Sequence, residues 1–191
     1  MIKSIQELNF PEYATLSTAT VSLSDMGDKI ITTQVKIDGS VIPDFSYNWE
    51  VEFEGERYIQ PLREPQASKG NESINSIIDL TFYHKTIYEL KRYYFVEMAS
   101  TDSGTAIVDK YIASLNVNLK DFCTSLQLVL DHYFNGDIVI DLNAPDSYNQ
   151  EKSYIEINYS HIWDVLLKIY DIYGVRWAIE GNTIKIVYHT T

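Results

Sequence analysis

The chain contains two similar segments in its C-terminal half, and this repetition constrains the fold more than any other feature. The first segment, Leu115–Phe134, reads LNVNLKDFCTSLQLVLDHYF, and the second, Ile155–Gly174, reads IEINYSHIWDVLLKIYDIYG. A shift of forty residues aligns most apolar positions of the first segment with apolar positions of the second, and several polar positions with polar ones. The aligned pairs are Val117 with Ile157, Asn118 with Asn158, Phe122 with Ile162, Leu126 with Leu166, Val129 with Ile169, Asp131 with Asp171 and Tyr133 with Tyr173.

Each segment predicts a strand followed by a helix, and a second strand comes after each one. The apolar residues of the middle part recur at helical spacing. Asn118 is a candidate cap for the first helix, and Asn158 or Ser160 for the second, because these side chains accept hydrogen bonds from free backbone N–H groups. Gly136 and Gly174 predict the two helix ends, because glycine readily adopts the left-handed conformation that stops a helix.

A single β-α-β unit exposes the apolar faces of its helix and strands, whereas two units can cover each other. We therefore expect repeat units at about 113–142 and 153–187, the second ending in a hairpin that turns at Glu180–Asn182. The expected core between the repeats consists of Phe122, Leu126, Ile162, Leu166 and Ile169.

The first half of the chain predicts β structure. A strand is expected at Ile30–Ile37, followed by a tight turn at Asp38-Gly39, the dipeptide typical of hairpins. Apolar and polar residues alternate through Asn48–Phe53, and Glu54–Glu56 predicts a second turn. The segment Arg63–Ser73 has no periodicity and predicts a long loop.

We predict an α+β fold with two domains. Residues 86–98 fit either a strand or one or two helical turns, and Ala99–Ile107 is polar and contains glycine. We place the domain boundary in that polar stretch. The prediction is a small β-barrel or sandwich at residues 1–104, followed by a duplicated β-α-β domain at 105–191.

Charge and hydropathy exclude two kinds of partner. The chain has 191 residues and a formal net charge of −12, and its Lys and Arg residues are scattered. Nucleic-acid binding needs clustered cations, so we expect no specific DNA or RNA binding. No apolar run is long enough to span a membrane, and the N-terminus lacks the apolar core of a signal peptide. We therefore expect no membrane insertion.

No catalytic or metal-binding motif is present. The chain lacks the nucleophile elbow, the zinc-protease helix, the phosphate-binding loop and the dinucleotide-binding glycines. Cys123 is the one cysteine, and it lies within the helical pattern as a small apolar residue. The histidines are separated in sequence, at His84, His132, His161 and His189. We therefore expect no catalytic, cofactor-binding or metal-ligating residues, no cofactor and no enzymatic activity.

Aromatic residues offer candidate contacts instead. The cluster Tyr93–Phe95 fits a sugar-binding platform, although such residues more often pack in a core or an oligomer interface. Trp163 follows the predicted core position Ile162, and exposure there favours an interface. We expect Tyr93, Tyr94 and Trp163 to be candidate interface residues.

The chain resembles the hub proteins of phage tails. The resemblance is carried by WEVEFEGERYIQPL at 49–62, by LNVNLKDFCTSLQLVL at 115–130 and by IWDVLLKIYDIYGVRWAIEGNTIKIV at 162–187. It implies a virion structural protein of a baseplate hub or tail tip, located in the tail and made in the bacterial cytoplasm. It also implies contacts with other tail proteins and a homo-oligomeric ring, a trimer or hexamer, around the DNA channel.

The C-terminal pattern also resembles the short N-terminal domain of secretins and of signalling TonB-dependent receptors. That second resemblance implies a periplasmic signalling or assembly module. The β-rich domain and the lack of a signal peptide favour the tail over this alternative.

Overall fold

The computed structural model describes residues 4–23, 27–39, 41–61, 75–101, 104–107, 111–144 and 151–188. The chain divides into two compact units, Met1–Lys85 and Thr86–Thr191. The fold is α+β and rich in strands, as the sequence predicts. The predicted loop Arg63–Ser73 lies outside the described residues.

The first unit is a nearly closed sheet of six antiparallel strands in the order β1-β4-β5-β6-β3-β2. The strands are β1 Gln6–Glu7, β2 Ala14–Ser22, β3 Ile30–Asp38, β4 Glu50–Phe53, β5 Glu56–Ile59 and β6 Asn75–His84. Alternate residues point inward, and the buried side chains form one core: Ala14, Ile31, Val35, Ile37, Trp49, Val51, Tyr58, Leu80 and Phe82.

One of the two turns predicted in the first half of the chain forms a hairpin. Strands β4 and β5 pair in antiparallel fashion, with Phe53 opposite Glu56. Glu54 and Gly55 between them have φ values of 56° and 81°, the left-handed conformation that a two-residue hairpin turn requires. The turn at Glu54–Glu56 is therefore confirmed.

The prediction of a hairpin at Asp38-Gly39 is wrong. Gly39 has a φ of 74°, but β3 pairs with β2 and β6 and not with β4, the next strand. The segment after the turn packs on the core instead, because the ring of Phe45 lies 5.0 Å from that of Trp49. The Trp49 indole N–H donates to the carbonyl oxygen of Asp44, 2.9 Å away.

In the part of the chain that the structure describes, the second unit contains three helices, two main sheets and one short strand pair. Its helices are α1 Lys85–Arg92, α2 Leu119–Phe134 and α3 Ile162–Tyr173. Its strands are β7 Met98–Thr101, β8 Gly104–Ile107, β9 Ile112–Val117, β10 Val139–Asn143, β11 Ser153–Asn158, β12 Val175–Glu180 and β13 Thr183–Tyr188. The ambiguous stretch 86–98 is thus mainly the helix α1.

The two predicted repeats contain the same order of elements, β9-α2-β10 and β11-α3-β12. Their strands are distributed between two sheets. The leading strands β9 and β11 pair with each other in antiparallel fashion, and β13 lies between β10 and β12. Strand β13 runs parallel to β10 and antiparallel to β12. That the repeats are copies of one structural unit stays a prediction.

Helix ends follow the sequence signals at three of four positions. The Asn118 side chain accepts from the N–H of Asp121, 2.8 Å away, and Gly174 ends α3 with a φ of 63°. Helix α2 ends at Asn135, which has a φ of 51°, next to the predicted Gly136. The start of α3 differs, because its cap is His161, whose side chain makes no capping hydrogen bond. The main-chain oxygen of Tyr93 accepts from Ile162 N–H instead.

The division between the compact units lies closer to the N-terminus than the predicted boundary at residue 104. The backbone of segment 93–95 explains the difference, because Phe95 N–H donates to the oxygen of Ser160, 2.8 Å away. Strands β7 and β8 lie largely within the polar stretch 99–107 and pair in antiparallel fashion. The limits 1–104 and 105–191 stay a proposal for independently folding domains.

Candidate functional site

The second unit carries a group of exposed aromatic side chains, which we call the tyrosine cluster. It consists of Tyr94, Tyr111, Tyr159 and His161. The ring of Tyr94 stacks on that of His161 at 4.3 Å and meets that of Tyr111 edge-on at 6.1 Å. Tyr111 stacks on Tyr159 at 5.6 Å. The four rings therefore form a continuous row.

Backbone pairing fixes the positions of these rings. Tyr111 precedes β9 and Tyr159 follows β11, so the antiparallel pairing of these strands places them at the same end. The N–H of Tyr159 donates to the oxygen of Tyr111, 2.9 Å away. An isolated bridge joins Tyr94 to His161 and adds the other two rings.

The cluster combines exposure with an unusual backbone conformation. Tyr94, Tyr111 and Tyr159 are 39%, 36% and 61% exposed. Tyr159 has a φ of 46°, in the left-handed region that few residues with large side chains adopt. Such strained positions persist where the surrounding structure enforces them, and they are frequent at functional sites.

The chemistry of the cluster suits binding by packing and hydrogen bonding. Tyrosine supplies a large apolar ring and a hydroxyl group, a combination that is enriched in protein interfaces. Ile112 lies beside the cluster at the start of β9 and is 58% exposed, which extends the apolar surface. One charged neighbour is Asp164, whose carboxylate lies 3.5 Å from His161 Nδ1.

Ser160, His161 and Asp164 are close in sequence, but they do not form a nucleophilic triad. The Ser160 hydroxyl contacts the backbone of Asn158 and not the imidazole of His161. Within the described ranges, no group of three or more His, Cys, Asp or Glu side chains is placed to hold a metal ion. Cys123 is buried, and burial raises the pKa of its thiol to about 12.

The predicted interface residues have different environments. Tyr94 is exposed within the cluster, whereas Tyr93 is half-buried against Tyr133, with 4.8 Å between the rings. The expectation that Trp163 lies on an interface is wrong, because it is only 6% exposed. The ring of Trp177 meets it edge-on at 5.0 Å, and Lys91 Nζ lies 5.0 Å from its centroid.

The three side chains of the aromatic segment Tyr93–Phe95 also differ in exposure. Phe95 is 2% exposed and belongs to the core, so the three residues do not present one flat platform. Sequence reasoning did not identify Tyr111 and Tyr159, because only the pairing of β9 with β11 brings them together.

No protein-family model matches the chain, and no curated protein matches its sequence. Among solved structures, the chain is similar to the crystal structure of prophage tail protein gp18 from Listeria monocytogenes EGD-e, with a TM-score of 0.56 and 15% sequence identity. The similarity covers 95% of this chain and 49% of that chain, so this chain spans about half the length of that protein. At this identity, the comparison establishes a shared fold. In the part of the chain that the structure describes, no helix is both long enough and apolar enough to cross a membrane.

Proposed function

We propose that the chain is a structural component of a phage or prophage tail, located at the baseplate hub or tail tip, and has no catalytic role. The observation that carries the proposal is the similarity over 95% of the chain to a prophage tail protein. A fold alone does not define a function. The resemblance of three separate sequence segments to tail hubs adds independent support.

The partners in this proposal are other tail proteins and further copies of the same chain. A closed ring, a trimer or hexamer, uses two different surfaces of each subunit. The tyrosine cluster is one candidate surface, because three of its rings are at least 36% exposed. The net charge of −12 repels the phosphates of DNA, so DNA can pass through the channel of the ring without binding to the protein.

The periplasmic alternative explains less of the molecule. Its resemblance is limited to the β-α-β units, whereas the structural similarity extends through 95% of the chain. We therefore favour the tail, and we retain the periplasmic module as a distinct outcome of the test.

The test is to locate the protein in the bacterium that encodes it. Phage particles released by this bacterium are examined by electron microscopy. Gold-labelled antibodies against the chain should mark one end of their tails. Deletion of the coding sequence should give particles without complete tails, and the intact gene supplied in trans should restore them. Labelling of the periplasm with normal tails would contradict the proposal and support the alternative.

A further inference from the structure

The side chain of Gln127 on α2 binds the backbone of β10 through two hydrogen bonds. Its oxygen, Oε1, accepts from the N–H of Ile140 at 2.9 Å. Its nitrogen, Nε2, donates to the main-chain oxygen of Ile138 at 3.0 Å. The same nitrogen also donates to Asp131 Oδ1, 2.8 Å away and one turn further along α2. These partners fix the orientation of the amide, because a reversed amide would place its NH₂ group against the N–H of Ile140.

The two contacts with β10 follow the hydrogen-bond pattern of a parallel strand. On its other side, β10 pairs with β13, and the N–H of Val139 donates to the oxygen of Asn182 at 3.1 Å. Successive N–H groups of a strand point to opposite sides, so the N–H of Ile140 points away from β13. A residue of a parallel neighbour accepts from one N–H and donates to the oxygen two residues earlier. The Gln127 amide makes this pair of bonds with Ile140 and Ile138.

The strand that Gln127 contacts lies at the edge of its sheet. Among the described residues, β10 is a terminal strand in the order β10-β13-β12. A terminal strand presents backbone N–H and C=O groups with which the strand of another chain can pair. The sequence of β10, VIDLN, contains one charge, at Asp141, and Val139 is 40% exposed. The side chains of β10 therefore offer little protection against such pairing, since edge strands are commonly protected by charges or proline.

We propose that Gln127 caps the outer edge of β10 and prevents a strand of a second copy of the chain from adding to this sheet. The second copy is the partner because it brings an identical edge whenever the chain is concentrated. The amide occupies the hydrogen-bonding groups of Ile138 and Ile140, so an added strand must first displace it. The cap leaves association to other surfaces of the molecule. This inference does not depend on the proposed function.

The first test replaces the amide by an apolar side chain of similar size. Gln127→Leu suits α2, because leucine is a strong helix former and stands at the aligned position 167. In dilute protein, hydrogen exchange of the Ile140 amide, measured by NMR, should become at least about fivefold faster, since its acceptor is lost. Thr124→Leu is the matched control and should leave this rate unchanged. Thr124 is exposed on α2, and its hydroxyl donates to the oxygen of Lys120 in the same helix.

The second measurement is the average mass by sedimentation at high protein concentration. Gln127→Leu should form species at least about twice as heavy as those of the unmodified chain and of Thr124→Leu, because pairing of two identical edges joins two copies. In these heavier species the Ile140 amide should be protected again, since the strand of the second copy supplies a new acceptor. That recovery locates the association at β10.

A polar variant separates loss of the cap from gain of apolar surface. Gln127→Asn keeps the amide but shortens the side chain by one methylene group, so it should show the same faster exchange and the same increase in mass. Unchanged mass in both Gln127 variants would overturn the proposal and show that the hydrogen bonds only join α2 to β10. Unchanged exchange of Ile140, or equal association of Thr124→Leu, would also overturn it. If Gln127→Leu does not fold, Gln127→Asn alone decides the matter.

Discussion

The carboxylate of Glu7 accepts a hydrogen bond from the backbone N–H of Leu16, with 2.6 Å between Oε1 and the nitrogen. Glu7 lies in β1 and Leu16 in β2, the two terminal strands in the order of the six-stranded sheet. The register of β2 shifts between Leu16 and Thr18, which marks a bulge at this point. A side chain of β1 thus binds a backbone N–H of β2 beside the bulge and links the two terminal strands, and we call this junction the seam of the sheet.

Replacement of Glu7 should weaken the seam. Glu7→Ala removes the acceptor for Leu16 N–H, and the free energy of unfolding should fall by about 1 kcal/mol, because water can partly replace an exposed acceptor. Denaturant titration measures this change. Glu12→Ala is the control, since Glu12 is also exposed but lies between β1 and β2. Equal losses in both variants would show that the hydrogen bond does not stabilise the seam.

Core and surface leucines of α3 should respond differently to truncation. Leu166 is fully buried, whereas its neighbour Leu167 is 43% exposed. Leu166→Ala should therefore cost about 2–5 kcal/mol in the free energy of unfolding. Leu167→Ala should cost well under about 1 kcal/mol. Similar losses for the two variants would mean that the buried face of α3 is assigned incorrectly.

Cys123 should be unreactive in the folded protein. Cys123 is 6% exposed, and burial raises the pKa of its thiol to about 12. Only the thiolate attacks disulfide reagents, so labelling at pH 8 should be about a thousandfold slower than in the unfolded chain. The measurement is the rate of colour release from an aromatic disulfide, with and without denaturant. Comparable rates would show that α2 exposes Cys123.

The proposed domain limits predict where proteases cut first. Limited proteolysis of the full chain should cut within 99–110 or within 63–73, the polar segments of the sequence. After a cut at 99–110, the fragments should remain associated, because segment 93–95 pairs with 160–162. Size-exclusion chromatography before and after denaturation tests this. A first cut inside α2, at 119–134, would contradict the two-domain proposal.

Local signals predicted the individual elements well. The cap at Asn118, the helix end at Gly174 and the turn at Glu54-Gly55 each follow from the preferences of one or two residues. The five predicted core residues, Phe122, Leu126, Ile162, Leu166 and Ile169, are all fully buried. Helical spacing identifies such positions because it depends on neighbours within a few residues.

Pairing between distant strands was not predictable from these signals. The alternation in β3 shows which face is buried, but it does not show that β2 and β6 are the neighbours. The tyrosine cluster has the same origin, because Tyr111 and Tyr159 meet only through the pairing of β9 with β11. Trp163 was wrongly predicted to be an interface residue. Its position beside Ile162 does not show that the ring of Trp177 packs against it.

The last prediction concerns assembly through the tyrosine cluster. At high concentration, or with neighbouring tail proteins present, the chain should form a trimer or hexamer. Tyr159→Asn should weaken association by about 30-fold or more, because central aromatic residues of an interface commonly contribute about 2 kcal/mol or more. Asparagine is the suitable replacement because it tolerates the left-handed backbone found at φ 46°.

Tyr170→Ala provides the matched control for this experiment. Tyr170 is 43% exposed on α3 and is not a member of the tyrosine cluster, so its loss should leave association unchanged. Sedimentation over a range of concentrations measures the mass and the association constant of each variant. A strictly monomeric protein under all these conditions would contradict the ring. Equal weakening by Tyr159→Asn and Tyr170→Ala would instead place the interface outside the cluster, because a contact centred on those rings distinguishes the two substitutions.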